Sequence, residues 1–473
     1  DNARPARAGN GIRNLELGTW NLPCGPSLRW MDTPIPSDFT WGVATSAYQI
    51  EGGRYEGGKG ESIWDRFADE GRMPENGDVA CDHYHRWPED VALVNELGVD
   101  AYRMSIAWTR ILPDGVGPVN EAGVAFYRAV FQTLVEAGIT PWVTLYHWDL
   151  PQALQDRGGW ASRETAGAFA RYAAIASDVF GDLVTRWITH NEPWVASVLG
   201  HVDGAFAPGV QDWGVGLRAA HHILLSHGLA VEAIRTRQPG ASVGIALDCR
   251  VSRPASDSPD DIAAARHFDG YRNRWFFDPV FGRGYPDDMI DAYHRRGRLA
   301  EPSLSFVMPG DLETIAAPID FLGLNYYATL SIAAGREESE ETGVPATADP
   351  PSGYTEMGWP VTPGGLTEYV THLHDTYEPE SIVITENGAS YSDAPDPERQ
   401  VHDSRRIEYL DAHVAAVAAA RGDGVPVDGY FVWSLLDNLE WTAGYSQRFG
   451  LVWVDHATGE RIPKDSYWWY RDL

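Results

Sequence analysis

Two runs of this sequence each place a single carboxylate where an apolar stretch stops. Ser381-Ile382-Val383-Ile384 leads into Thr385-Glu386-Asn387-Gly388, and Arg186-Trp187-Ile188-Thr189-His190 leads into Asn191-Glu192-Pro193. β-Branched residues suit a strand covered on both faces, and the Gly or Pro that follows stops it. One such glutamate taken alone is ordinarily a solvated loop carboxylate. Two at matching strand ends are what cleavage of a glycosidic bond needs, one as proton donor and the other as nucleophile or base.

Something must hold those two ends together. Read in order, the chain offers eight apolar strands: 39–45, 101–108, 140–147, the run ending at Glu192, 242–247, 319–327, the run ending at Glu386, and 427–434. Helical patterns alternate with them at 86–97, 121–137, 163–180, 217–238, 261–276, 364–377, 404–420 and 464–472. Gly98 and Gly138 close the first two of these helices. A strand-then-helix unit repeated eight times predicts a single-domain α/β fold, the (β/α)8 TIM barrel, over residues 32–473. Residues 1–31 read as an irregular extension, and 331–358, rich in Glu, Thr, Pro and Gly, as a long loop at a strand's C-terminal end. In such barrels the site lies at the C-terminal strand ends. Those ends carry Gln49, Arg103, His147, Asn191, Glu192, Asn325, Tyr327, Glu386 and Trp433. Polar side chains recurring at one end of successive strands do not suit a core.

Composition narrows the partners. With 37 Lys and Arg against 67 Asp and Glu, the net charge of −30 disfavours nucleic acid, anionic membrane and phosphorylated substrates, and fits a neutral small molecule. The 19 tryptophans exceed what packing alone asks for and suit stacking on sugar C–H faces. Three scattered cysteines make no disulfide framework, no window resembles a membrane span, and the first thirty residues hold no apolar signal core; a cytoplasmic protein is the expectation. Cys81-Asp82-His83-Tyr84-His85 matches no zinc spacing, so neither metal nor cofactor is expected. His221, His222 and His227 read as helix packing or surface.

The longer motifs resemble glycoside hydrolase family 1, the retaining β-glucosidases. The resemblance runs through Phe39-Thr40-Trp41-Gly42-Val43-Ala44-Thr45-Ser46-Ala47-Tyr48-Gln49-Ile50-Glu51-Gly52, Tyr146-His147-Trp148-Asp149-Leu150-Pro151, Thr189 to Pro193, Ile384 to Gly388, and Trp433-Ser434-Leu435-Leu436-Asp437-Asn438 with Glu440-Trp441 and Arg448-Phe449-Gly450. It covers about residue 36 to the end. It implies that Glu192 is the general acid/base and Glu386 the nucleophile. It further implies that Gln49, His147, Asn191, Glu440 and Trp441 bind sugar hydroxyls, with Trp433 as the platform beneath. Arg103, Asn325 and Tyr327 would surround the nucleophile, and Trp359 and Phe449 would complete the substrate site, Trp359 as a wall on the leaving-group side. The implied activity is hydrolysis of terminal β-D-glucosyl residues of cellobiose, short oligosaccharides and aryl or alkyl glucosides. A β-galactosidase, β-fucosidase or transglycosylase of the same family is the alternative, and a non-catalytic sugar-binding protein the rival from another class.

Elementary electrostatics fits that division. A cation (Arg103) and a phenol (Tyr327) beside Glu386 should lower its pKa, and an ionised Glu386 should raise that of Glu192. Two residues depart from the family pattern as it resembles this chain. His190 stands beside Asn-Glu-Pro where an apolar or aromatic residue is usual, and Met104 follows Arg103 in place of Phe; both read as packing.

Overall fold

The computed structural model of the chain describes residues 38–334 and 352–473. Strands β1 (Thr40–Ala44), β2 (Ala101–Ser105), β3 (Thr140–Tyr146), β4 (Arg186–Asn191), β5 (Ser242–Pro254), β6 (Phe321–Ile332), β7 (Ile382–Asn387) and β8 (Val427–Trp433) form a closed barrel in sequence order. Every neighbouring pair is parallel, and β1 pairs with both β2 and β8. Around them lie α1 (His83–Leu97), α2 (Glu121–Glu136), α3 (Arg163–Phe180), α4 (Trp213–Arg237), α5 (Pro259–Asp269), α6 (Pro363–Tyr377), α7 (Ser404–Gly422) and α8 (Asp465–Arg471), with shorter helices between. This is the (β/α)8 barrel that the alternation predicts.

The apolar strands are buried on both faces because helices cover the outside and side chains fill the inside. Within the barrel Trp142 meets Phe321 at 4.9 Å and Phe431 at 5.2 Å between ring centroids. These three rings make a floor under the C-terminal mouth. At ~150–250 Å² buried per ring and ~25 cal/mol per Å², each contributes about 4–6 kcal/mol of apolar burial. Gly98 ends α1 in the left-handed region at φ 75°, as its place after the apolar run implies. Gly388 has a different reason: a Cβ there would lie 1.9 Å from the backbone oxygen of Trp433, so the end of β7 can lie against the end of β8 only without a side chain.

The barrel mouth is shaped by slips in strand register. Ile188 pairs with Gly244 and Asn191 with Ala246, so β4 advances one residue more than β5. On β7, Ile384 pairs with Leu324 and Glu386 with Asn325, again an extra residue. Such bulges turn the following side chain toward the other face. Ile188 and Val383 both pack inside the barrel; after the slips Asn191 and Glu386 point inward as well, and Thr189 and His190 face α4.

Several expected boundaries shift. β5 and β6 run on to Pro254 and Ile332 because they keep pairing past the rim, where 242–247 and 319–327 were expected. The helix expected over 261–276 is divided: α5 stops at Asp269 and a wide turn, Gly270–Arg274, precedes a short helix, Trp275–Val280. The expected loop 331–358 starts as the last two residues of β6, and its part 335–351, like the extension 1–31, lies outside the described residues. His221, His222 and His227 are not surface residues: they are buried, bonded to Asp311 and Tyr285, to the Trp160 carbonyl and to Thr189. His83 is buried against Asp90 at 2.8 Å. Among the described residues no helix is long and apolar enough to cross a membrane, and no group of three or more His, Cys, Asp or Glu side chains is arranged to hold a metal ion.

Candidate active site

Glu192 and Glu386 come together at the mouth through a shared polar network. One Arg103 amino group donates to Glu386 at 2.6 Å and to the Thr385 carbonyl at 2.8 Å; the other donates to the Asn191 side-chain oxygen at 2.6 Å. Tyr327 donates its hydroxyl to the second Glu386 oxygen at 2.8 Å. Asn325 donates to Glu192 at 2.7 Å and to Asn191 at 3.0 Å, and its side-chain oxygen accepts from Thr385 at 2.7 Å. The Asn191 oxygen thus has two donors on it, which fixes its amide nitrogen toward His147 Nε2, 3.1 Å away. His147 therefore accepts at Nε2 and carries its proton on Nδ1, an atom with no hydrogen-bond partner in the described protein. The Trp148 indole N–H holds the Asn191 carbonyl at 2.8 Å.

The backbone at this site is strained. Glu192, Trp148 and Trp441 are non-glycine residues in the left-handed region, at φ 49°, 76° and 49°. Each costs roughly 1–2 kcal/mol, a price that clusters where geometry serves chemistry.

Burial dominates the electrostatics. It pushes the Glu192 carboxyl well above the ordinary carboxylate range, with Asp248 and then Glu386 adding like-charge repulsion and Asn325 opposing. Burial also raises Glu386, while Arg103, Tyr327 and Asn325 pull it back. The expectation that Arg103 and Tyr327 bring Glu386 below its usual pKa is corrected: desolvation outweighs them. The order survives, because Glu192 has the stronger upward push and only Glu386 has a cation in contact. Such a pair can present one protonated carboxyl beside one carboxylate, the requirement for proton donation and attack at one carbon. Burial and the Arg103 charge push His147 well below its usual pKa, so it is neutral.

Gln49, Glu440, Trp433 and Trp441 make one side of the site. The Gln49 amide donates to Asn438 and the Leu439 carbonyl, both at 3.0 Å, and approaches Glu440 at 3.4 Å, while Ser46 fixes its oxygen at 2.6 Å. Burial, then Glu386, push Glu440 up to about 8. Trp433 stacks near His147 with rings 5.8 Å apart, and Trp441 packs on Trp64 at 4.5 Å and Trp148 at 4.6 Å. Trp359 lies 5.1 Å from Tyr327 and 6.1 Å from Phe449. The residues expected to catalyse or bind substrate are grouped at this one mouth. His190 is not: it turns outward to Ser226 at 2.8 Å and packs on Phe169 at 4.3 Å. Met104 is buried in the core between strands and helices.

Sequence reasoning missed the end of β5. Asp248 pairs in register with Asn325 and forms an ion pair with Arg272, whose guanidinium lies 3.3 Å over the Trp194 ring. Arg250 lies 4.6 Å over Trp359. The available signal was two charges at alternate positions, 248 and 250, directly after an apolar strand that was ended too early at Leu247.

Comparison with known proteins places these features in a family. The model for Glycosyl hydrolase family 1 matches residues 31–473. The chain is 43% identical over 448 residues to Beta-glucosidase A of Thermotoga maritima, covering 93% of this chain and 97% of that protein. It is 44% identical over 447 residues to Beta-glucosidase A of Acetivibrio thermocellus, covering 93% and 98%. The solved structure of the beta-glucosidase from Thermotoga maritima in complex with deoxynojirimycin superposes with a TM-score of 0.87 at 43% identity, over 93% of this chain and 98% of that one.

Proposed function

This chain belongs to glycosyl hydrolase family 1 and is a β-glucosidase, and we propose that it releases terminal non-reducing β-D-glucosyl residues from cellobiose, short oligosaccharides and aryl or alkyl glucosides through a covalent glycosyl-enzyme. The observation that carries this reading is that the Asn191 side-chain oxygen accepts both from Arg103, which also donates to Glu386, and from Asn325, which also donates to Glu192. Two carboxyls linked through one amide oxygen suit the roughly 5–5.5 Å spacing of retention rather than the wider gap an inverting enzyme needs for water.

In this mechanism a Glu386 oxygen attacks C1 as Glu192 passes its proton to the departing glycosidic oxygen. The C1–O bond breaks, and the aglycone leaves as an alcohol or phenol. Arg103 and Tyr327 stabilise the attacking carboxylate and then hold the ester. Glu192, now ionised, takes a proton from water as that water attacks C1 and frees Glu386, so the sugar leaves as the β anomer. Esterification removes the Glu386 charge, which lowers the Glu192 pKa and suits its second role as base. Gln49, His147, Asn191, Glu440 and Trp441 are the hydroxyl partners of the bound glucose, with Trp433 beneath it. Asn191 would bond the 2-OH, a contact that strengthens at the transition state. Trp359 walls the leaving-group side, and Phe449 completes the substrate site. The domain is read as 32–473, and a cytoplasmic setting fits the two described cysteines, Cys81 and Cys249, which are buried free thiols.

The test is hydrolysis of p-nitrophenyl β-D-glucoside followed by proton NMR. Early β-glucose is the expected result; early α-glucose would mean inversion and would undo the roles given to both glutamates.

A further inference from the structure

The end of β5 carries a cation that the reaction as proposed does not use. Asp248 pairs with Asn325, whose side chain faces the carboxyls, so Asp248 faces the mouth too. Two residues on, Arg250 shares that face by strand alternation. Here the register slips again: Cys249 pairs with Tyr326 and Val251 with Thr329, leaving Tyr327 and Ala328 opposite Arg250. The slip sets Arg250 beside Tyr327, the residue that bonds Glu386. Its guanidinium lies 5.8 Å from the Tyr327 ring and 4.6 Å from Trp359.

Arg250 is half-buried, and among the described residues it has no ion pair and no side-chain hydrogen bond. In a chain with 67 acidic and 37 basic residues, an arginine with no ion-pair partner among the described residues is conspicuous. Asp248, the nearest acid on its face, is already taken by Arg272. Stacking on Trp359 fixes the plane of the guanidinium and leaves its edge of N–H donors for something else. An arginine edge held in one plane matches a carboxylate with two parallel hydrogen bonds.

We propose that Arg250, stacked on Trp359, makes the leaving-group side of this site selective for β-glucosides whose aglycone carries a carboxylate. This rests on the reading that Trp359 flanks the leaving group. A neutral aglycone would stack on Trp359 without using the cation. The charge would not act on the glucose ring, which the other side of the mouth holds.

The experiment compares kcat/KM for p-(carboxymethyl)phenyl β-D-glucoside with that for p-tolyl β-D-glucoside, two phenols of similar leaving ability. The wild type should prefer the carboxylated compound roughly tenfold. The ratio should collapse in Arg250→Gln, persist in part in Arg250→Lys, and shrink near 1 M salt, where the Debye length is ~3 Å. Using a ratio cancels any loss common to both substrates. The same arginine-dependent preference for glucosyl-gluconate over cellobiose would assign a sugar acid, and its confinement to the aryl pair a phenolic acid. A ratio near one in the wild type, or one unchanged in Arg250→Gln, would overturn the proposal while leaving β-glucosidase chemistry intact. Failure to cleave either aryl compound would sink the underlying reading of the site as well.

Discussion

Asn325 donates its side-chain amide to Glu192 at 2.7 Å while its oxygen accepts from Thr385, the residue before Glu386, at 2.7 Å. One side chain on β6 thus ties together the ends of β4 and β7. Its donation favours the ionised form of Glu192, against burial and against the charges of Asp248 and Glu386.

Replacing Asn325 with Ala removes that donor, so the Glu192 pKa should climb further. Since Glu192 must be protonated for the first step, kcat/KM is lost as pH rises through that pKa. The alkaline limb of the profile should therefore move to higher pH, while the maximum falls roughly 10–100-fold from lost positioning. A full pH profile of kcat/KM for p-nitrophenyl β-D-glucoside checks both. A limb that stays in place would show that Asn325 does not bear on the acid.

Glu386→Ala deletes the attacking oxygen and leaves the space it filled. Turnover should drop roughly 10⁴-fold or more, as when other enzymes lose a nucleophile. Azide should restore consumption of an activated glucoside, attacking from the emptied face while Glu192 remains, and the product should be the α-glucosyl azide. Isolation of the β-azide would transfer the nucleophile's role away from Glu386.

Much of this was legible in the sequence because barrel strands announce themselves as apolar runs and their polar residues gather at one end. The grouping of Arg103 with Glu386, and of Gln49 with Glu440, was implied by the family resemblance of the motifs that carry them. Register slips were not legible. Nothing in Ile188-Thr189-His190-Asn191 says that β4 gains a residue against β5, yet that slip is what brings Asn191 inward. Nor could apolar patterning extend β5 past Leu247, because Asp248 and Arg250 put charges at alternate positions of a strand that keeps pairing past the rim. The direction of the Glu386 shift was misjudged for a related reason: its partners can be read from a motif, but the depth of its burial cannot.

His190 offers a test of packing against chemistry. Its ring lies among Phe169, Trp160 and Tyr146, with Nε2 on Ser226 and Nδ1 buried without a partner among the described residues, and burial keeps it well below its usual pKa. A neutral ring that faces α4 cannot titrate into the reaction. His190→Phe loses the Ser226 bond and removes the cost of the unpartnered nitrogen, so stability should change by only about 1 kcal/mol in either direction. Both limbs of the pH profile should stay where they are. A displaced limb would reveal coupling to Glu192 that the outward orientation does not allow.

Glu440 should set stability against function. Its carboxyl has an ordinary pKa of 4.5 and is pushed up to about 8 in the folded chain, by burial first and by Glu386 second. Between those values the unfolded chain has released the proton that the folded chain retains. Unfolding therefore becomes easier as pH rises through that window, and the native state is free of this cost only below it. Glu440→Gln cannot ionise, so its melting temperature should match the wild type in acid and exceed it increasingly toward pH 8. Discounted for partial exposure, the gain is on the order of 1–3 kcal/mol. Activity should fall roughly 10–100-fold, because an amide cannot reproduce the hydrogen bonds of the carboxyl that contacts the glucose hydroxyls. Melting curves of both proteins across that range, run beside kcat/KM, decide the matter. A variant equally destabilised at every pH would mean that Glu440 acts by packing, and that its raised pKa reports nothing about the folding balance.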